Sequence, residues 1–196
     1  MELNPSLWDW ELMVYLNNLS PSALDSFWTF VTHTKHWIPF YFVLIALFFY
    51  KADYKKGILG VSFLLLSVGI THFLTEFTKF LVQRKRPNFT EEIMDHLKIL
   101  YEPTNFSFFS GHASTSFAAT VFVYLLLNSR FKYLGLIFIW PILFSLSRIF
   151  VGVHFPSDII VGAFVGSMIA IVCSKLYFFS KRELLNQSCP TKMQDR

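Results

Sequence analysis

The sequence predicts an all-α protein, a polytopic membrane helical bundle of about five transmembrane helices with interfacial helices at its N-terminus. Three observations carry that reading. Of the 196 residues, 54% are hydrophobic, 19% aromatic and only 15% charged, a balance at odds with a water-soluble globule. The apolar residues gather into five runs, at Trp37–Tyr50, Gly57–Val82, Ala113–Asn128, Leu134–Val153 and Ile159–Phe179, and about 20 such residues cross roughly 30 Å of hydrocarbon. Basic residues punctuate the ends of these runs unevenly, as they do in membrane proteins of fixed orientation. The length suits one domain: residues 1–34 as interfacial helices, 35–180 as the transmembrane bundle and 181–196 as a cytoplasmic tail.

Taken in order, residues 7–19 interleave Leu7, Trp8, Trp10, Leu12, Met13, Leu16 and Leu19 with Asp9, Glu11, Asn17 and Asn18. This pattern predicts a helix lying in the interface with its tryptophans at headgroup depth. Pro21 ends it, and Ser22–Thr34 forms a second short helix leading into the first span. The alternative is one long tilted span kinked at Pro39. Two of the five runs are short and must borrow flanking residues or sit in thinned bilayer. No basic stretch followed by a small-residue cleavage site is present, so no removable leader is expected. Cys173 and Cys189 read as unpaired thiols.

The second span carries His72, Glu76, Lys79 and Gln83 within about 60° of one another on a helix, with Thr75 beside them. They either line a cavity or form a structural Glu76–Lys79 pair with His72 satisfied by a neighbouring helix. The stripe offers too few ligands for a metal, and none is expected. After Pro87, residues 88–106 hold Ile93, Leu97 and Leu100 at helical spacing behind a possible cap at Thr90. That predicts a short amphipathic helix on the membrane surface, or a lid that screens substrates. Pro141 should kink the fourth span. Gly162, Gly166 and Ala170 give the last span a small-residue ridge for close packing.

With five spans, the loops alternate sides. One side, with Lys51–Lys56, the Arg130/Lys132 turn and the tail, sums to +7; the other sums to −3, together the chain's +4. The +7 side is expected in the cytoplasm, so the opposite end faces the periplasm or cell exterior across the inner (plasma) membrane. Because topology accounts for the basic residues, no nucleic-acid partner is implied; the bilayer is the expected partner.

Three polar islands lie at that outer end: KFLVQRKRP (Lys79–Pro87), FSGHAS (Phe109–Ser114) and SRIFVGVHFPSD (Ser147–Asp158). Charge at a membrane boundary is costly and marks a site. Lys79, Arg86 and Arg148 supply the cations that a phosphate needs on leaving water, and the arginines donate in pairs. Ser110, the Gly111 N–H and the start of the third span add donors from a helix N-terminus. Asp158 stands four residues after His154, where a carboxylate can orient the ring and stabilise its imidazolium. His154 is therefore the expected nucleophile, forming a phosphohistidine, and His112 the expected general acid. Fixed cations make a metal or other cofactor unnecessary.

These islands resemble the three signature motifs of the type 2 phosphatidic acid phosphatase (PAP2) superfamily of membrane lipid phosphatases. K-x6-R-P matches Lys79 through Arg86–Pro87; P-S-G-H matches Ser110–Gly111–His112, with Phe109 where the family has proline; S-R-x5-H-x3-D matches Ser147–Arg148, His154 and Asp158. The resemblance implies phosphate held by Lys79, Arg86, Ser110, Gly111, His112 and Arg148, with His154 as nucleophile, Asp158 as its partner and His112 as acid. It also implies a metal-independent reaction and a helical core shared with vanadium haloperoxidases. Within the class, chain size and an outward-facing site put undecaprenyl diphosphate first, ahead of lipid A, phosphatidylglycerophosphate and phosphatidic acid. A non-hydrolytic lipid-phosphate binding or transport protein and a vanadate-dependent oxidant are the rival readings.

Overall fold

A computed structural model describes residues 7–187 of the chain. Most of the expected tail, including Cys189, Lys192, Asp195 and Arg196, lies outside those residues. Among them the structure is all helical, with helices α1 Leu7–Leu19, α2 Asp25–Thr32, α3 Ile38–Leu47, α4 Tyr54–Val82, α5 Gly111–Leu127, α6 Ile139–Phe150 and α7 Pro156–Gln187. Two of them, α4 and α7, are long and apolar enough to cross a membrane, and α5 and α6 lie in shorter apolar helical stretches. Helix α3 has 10 residues, about 15 Å of rise, and follows a 3-10 turn at Thr34–Trp37. That turn replaces the long kinked span: Pro39 sits in the first turn of α3, where its missing N–H is harmless. Pro141 likewise stands in the first turn of α6, and the irregularity of that run is a 3-10 stretch at Leu134–Phe138.

Helix α5 is the hub, flanked by α4, α6 and α7. The glycine ridge of α7 explains its closest neighbour. A Cβ at Gly162 would stand 2.7 Å from the Ser110 carbonyl oxygen, so only glycine lets the backbones meet there. Phe122, Val123 and Leu127 of α5 then pack with Trp140 and Phe144 of α6 and Ala170 and Tyr177 of α7.

The polar stripe of α4 differs from expectation. Ser67, Thr71, Thr75 and Lys79 are buried, while His72, Glu76 and Gln83 are exposed. The hydroxyls of Thr71 and Thr75 donate to the carbonyls of Ser67 and Thr71 at 2.8 Å. Satisfied by their own helix, they pack inward as small residues and leave the bulky side chains outside.

Helix α1 lies across the end of the bundle that carries the islands. Its inner face is Asp9, Met13 and Asn17, all buried, and its outer face exposes Leu7, Trp8, Tyr15 and Leu19. Two polar residues of the expected interfacial helix, Asp9 and Asn17, therefore point into the protein. Asn17 shows why: its amide donates to the carbonyls of Ile149 (2.9 Å) and Lys98 (3.1 Å) and accepts from Lys98 N at 2.7 Å. One side chain ties α1, the 88–106 loop and the end of α6. That loop forms only 3-10 turns at Pro87–Phe89 and Met94–His96, not the expected amphipathic helix. Its apolar residues are drawn off separately, Ile93 and Leu97 under α1 and Leu100 beside Val151. Tertiary packing overrides the period.

Candidate active site

The ends of α4 and α6 and the starts of α5 and α7 meet at one end of the bundle, and all three islands meet there with them. Lys79 is the last basic residue of α4, which stops at Gln83 in the left-handed conformation (φ 51°). The chain then turns so that Arg84 and Arg86 cross the end of the bundle. Ser110 caps α5, its Oγ accepting from Ala113 N at 3.4 Å, which leaves its O–H free to donate. A Cβ on Gly111 would lie 3.8 Å from Lys79 Nζ, so the start of α5 faces the lysine. Phe109, in place of the family's proline, is buried and stands edge-on to Phe108, so packing holds that loop.

The third island is a tight turn. Gly152 has φ +83° and its missing Cβ would stand 2.7 Å from the Lys98 carbonyl oxygen, a place only glycine fits. Beyond it Val153 N bonds to Arg148 O at 3.0 Å, and the turn delivers a buried His154 beneath Arg86.

The hydrogen bonds fix the ring chemistry of His154. Arg86 Nη1, which can only donate, reaches Nε2 at 3.0 Å. Asp158 Oδ2 lies 3.2 Å from Nδ1. The neutral ring thus carries its proton on Nδ1 and its lone pair on Nε2, turned toward the cations. Burial, and after it the charges of Arg86, Arg148, Lys79 and Arg84, hold this imidazole well below its ordinary 6.5. It is a neutral base.

Arg86 is fixed by four bonds, to His154, the Val153 carbonyl (2.8 Å), and the Asn105 carbonyl and side-chain oxygen (2.6 and 2.7 Å). Arg148 is less committed. Its Nη1 donates to Thr32 Oγ1 at 2.5 Å, and its buried Nε has no partner among the described residues. A buried N–H left open beside two other cations is what an anion would complete. Lys79 pairs with half-exposed Glu76 at 2.8 Å, the structural pair anticipated as one reading of that stripe. The ring of His112 stacks on Phe144 at 4.4 Å, and its Nε2 donates to the Thr32 carbonyl at 3.0 Å. From His112 a mostly apolar cleft of about 390 Å³ runs between α3, α4 and α6, past Tyr41, Leu44, Leu64, Val68 and His72.

Every residue expected at the site is therefore found at this end. Asp9, Thr32, Arg84 and Asn105 were missed. Arg84 stands inside the first island and was legible by position. Asp9 reads only as one of the polar residues interleaved in an interfacial helix, although it shares a four-residue spacing with Met13 and Asn17. Nothing local marks Thr32 or Asn105.

Fold and site together define a helical membrane protein with a buried histidine–aspartate pair among three cations at one end of the bundle. The chain belongs to the PAP2 superfamily, a profile of which matches residues 60–182, and it is a phosphatase of that class. It is 30% identical to the lipid A 4'-phosphatase of Porphyromonas gingivalis over 91% of this chain and 77% of that protein. It is 36% identical to the undecaprenyl-diphosphatase of Sulfolobus acidocaldarius over 69% of this chain and 61% of that one. The crystal structure of Aquifex aeolicus LpxE superimposes with a TM-score of 0.68 at 27% identity, covering 84% of this chain and 93% of that one.

Proposed function

We propose that the protein removes phosphate from a lipid headgroup through a phosphohistidine, at the outer leaflet of the inner membrane and without a metal. The observation that carries this is the His154 lone pair, fixed by Asp158 on one side and turned toward Arg86 on the other. A phosphate entering among Lys79, Arg86, Ser110, Gly111 and Arg148 takes up the open Nε–H of Arg148. Nε2 of His154 attacks phosphorus as the bond to the lipid oxygen breaks. Asp158 stabilises the developing imidazolium. The bound dianion beside His112 favours its protonated form, and with Nε2–H on Thr32 the proton passed to the leaving oxygen is the one on Nδ1. Water then attacks the phosphohistidine, giving its proton to His112, and inorganic phosphate leaves. The apolar cleft below His112 suits the lipid end of the leaving group, and the charge asymmetry of the loops supports the outward orientation.

For the substrate, the likeness of small, outward-facing members to carrier-recycling enzymes favours undecaprenyl diphosphate; the relatives support a lipid A phosphate. The likeness to the Porphyromonas enzyme spans nearly the whole chain, while that to the Sulfolobus enzyme is higher over a shorter stretch. A panel of lipid A, undecaprenyl diphosphate, phosphatidylglycerophosphate and phosphatidic acid, assayed with chelator present, decides. The expected result is the highest kcat/KM for lipid A; a maximum for undecaprenyl diphosphate restores the first order. Absence of phosphate release from all four, or rescue by a divalent metal, would contradict the proposal.

A further inference from the structure

We infer that Arg84, clamped by Asp9 of α1, is a positioning residue for the Asp158–His154 pair: it fixes the orientation and charge of the carboxylate that aims the nucleophile. This rests on His154 being the nucleophile. Asp158 has no solvent exposure, and its two oxygens are divided. Oδ2 faces His154 Nδ1 at 3.2 Å and accepts from Phe155 N at 3.1 Å; Oδ1 accepts from Arg84 Nη1 at 2.8 Å. Arg84 in turn bonds Ser157 Oγ at 2.8 Å and, through Nη2, Asp9 Oδ2 at 2.6 Å, and its guanidinium carbon lies 4.0 Å from the Phe155 ring centroid. The other oxygen of Asp9 accepts from Ser157 N at 3.0 Å.

Two features separate Arg84 from the phosphate-binding arginines. Both its terminal nitrogens are taken by carboxylates, whereas Arg148 keeps an unpartnered Nε. Its fork joins two acids at once, a geometry that guanidinium has and ammonium lacks. A carboxylate shut off from water holds its charge only against a facing cation, and Arg84 is the cation on Oδ1. Asp9 offsets the surplus positive charge that Arg84 would otherwise bring to His154. The charged and titratable groups around the pair are Lys79 and Glu76 of α4, Arg84 and Arg86 after it, Tyr101 of the loop, His112 of α5, Arg148 of α6 and Asp9 of α1.

The test compares Arg84→Gln, Arg84→Lys and Asp9→Asn in the full-length enzyme, by kcat, KM and the pH profile of kcat/KM. For Arg84→Gln kcat falls about 10- to 100-fold with KM little changed. Removing the cation lets Asp158 and His154 hold protons more readily, so the acid limb moves to higher pH. Arg84→Lys keeps the limb near its wild-type position but leaves kcat depressed. Asp9→Asn exposes His154 to the full charge of Arg84, so its limb moves to lower pH; this variant carries the test alone should Arg84→Gln not fold. A rise in KM at unchanged kcat would make Arg84 a phosphate ligand, and lower activity with no limb shift in Arg84→Gln and Asp9→Asn would make the network merely structural; either overturns the inference. A wild-type enzyme with no acid limb and no phosphohistidine would instead refute the nucleophile itself.

Discussion

The two ends of the bundle carry similar numbers of cations and treat them in opposite ways. At the end carrying the three islands Lys79, Arg86 and Arg148 are buried and Arg84 is locked between Asp9 and Asp158. At the other end Lys51 and Lys132 have no acidic partner among the described residues; they lie 5.4 and 5.2 Å from the rings of Tyr50 and Tyr133 and with Arg130 edge an open depression. The difference separates two reasons for charge in a membrane protein. Exposed cations set orientation at little cost, whereas buried ones need a fixed counter-group or a ligand that supplies one.

That contrast is sharpest at Arg148. Arg148→Lys keeps the charge but loses the fork and the open Nε, and turnover should fall about 100-fold or more; initial rates near wild type would show that the residue is peripheral. Next comes the packing that holds the site end together. Gly162→Ala drives a Cβ toward the Ser110 carbonyl, a backbone atom that cannot swing away, and should cost about 1–3 kcal/mol, seen as a lower apparent Tm in detergent with activity falling alongside. The pH response is a milder effect. In the proposed mechanism His154 reacts in its neutral form, and burial depresses its proton affinity, so activity is lost as pH falls through that lowered value. Since kcat/KM reports the free enzyme, its acid limb, where His154 takes up a proton, should lie below pH 6.5. A half-fall above 6.5 would contradict the burial of the ring. The smallest change is expected from the opposite end: Lys132→Gln should leave kcat/KM within about twofold, and a large loss would break the distinction between the ends.

The parts of the site that were legible in the sequence are those where charge interrupts an apolar run, because such residues have few other reasons to be there. The three islands and the His154–Asp158 spacing follow from that alone. What escaped depended on contacts between distant segments. Asp9 and Asn17 looked like the wet side of an interfacial helix; they are buried because Arg84, Lys98 and the end of α6 offer them partners. On α4 the hydroxyl stripe, not the His72–Glu76 stripe, turns inward, since hydroxyls satisfied by their own helix pack more closely than an imidazole or a carboxylate. The loop at 88–106 carried a helical period that three separate apolar contacts dissolved. In lipid, polarity alone does not say which face is buried; size and partner do.

The central claim is that His154 becomes covalently phosphorylated. Rapid quenching of the enzyme with lipid substrate labelled in its phosphate, followed by alkaline denaturation and peptide mapping, tests it directly. Acid-labile label on the peptide carrying His154, absent from His154→Ala, is the predicted result. Full turnover with no protein-bound phosphate, or label carried by His112 in its place, would contradict it.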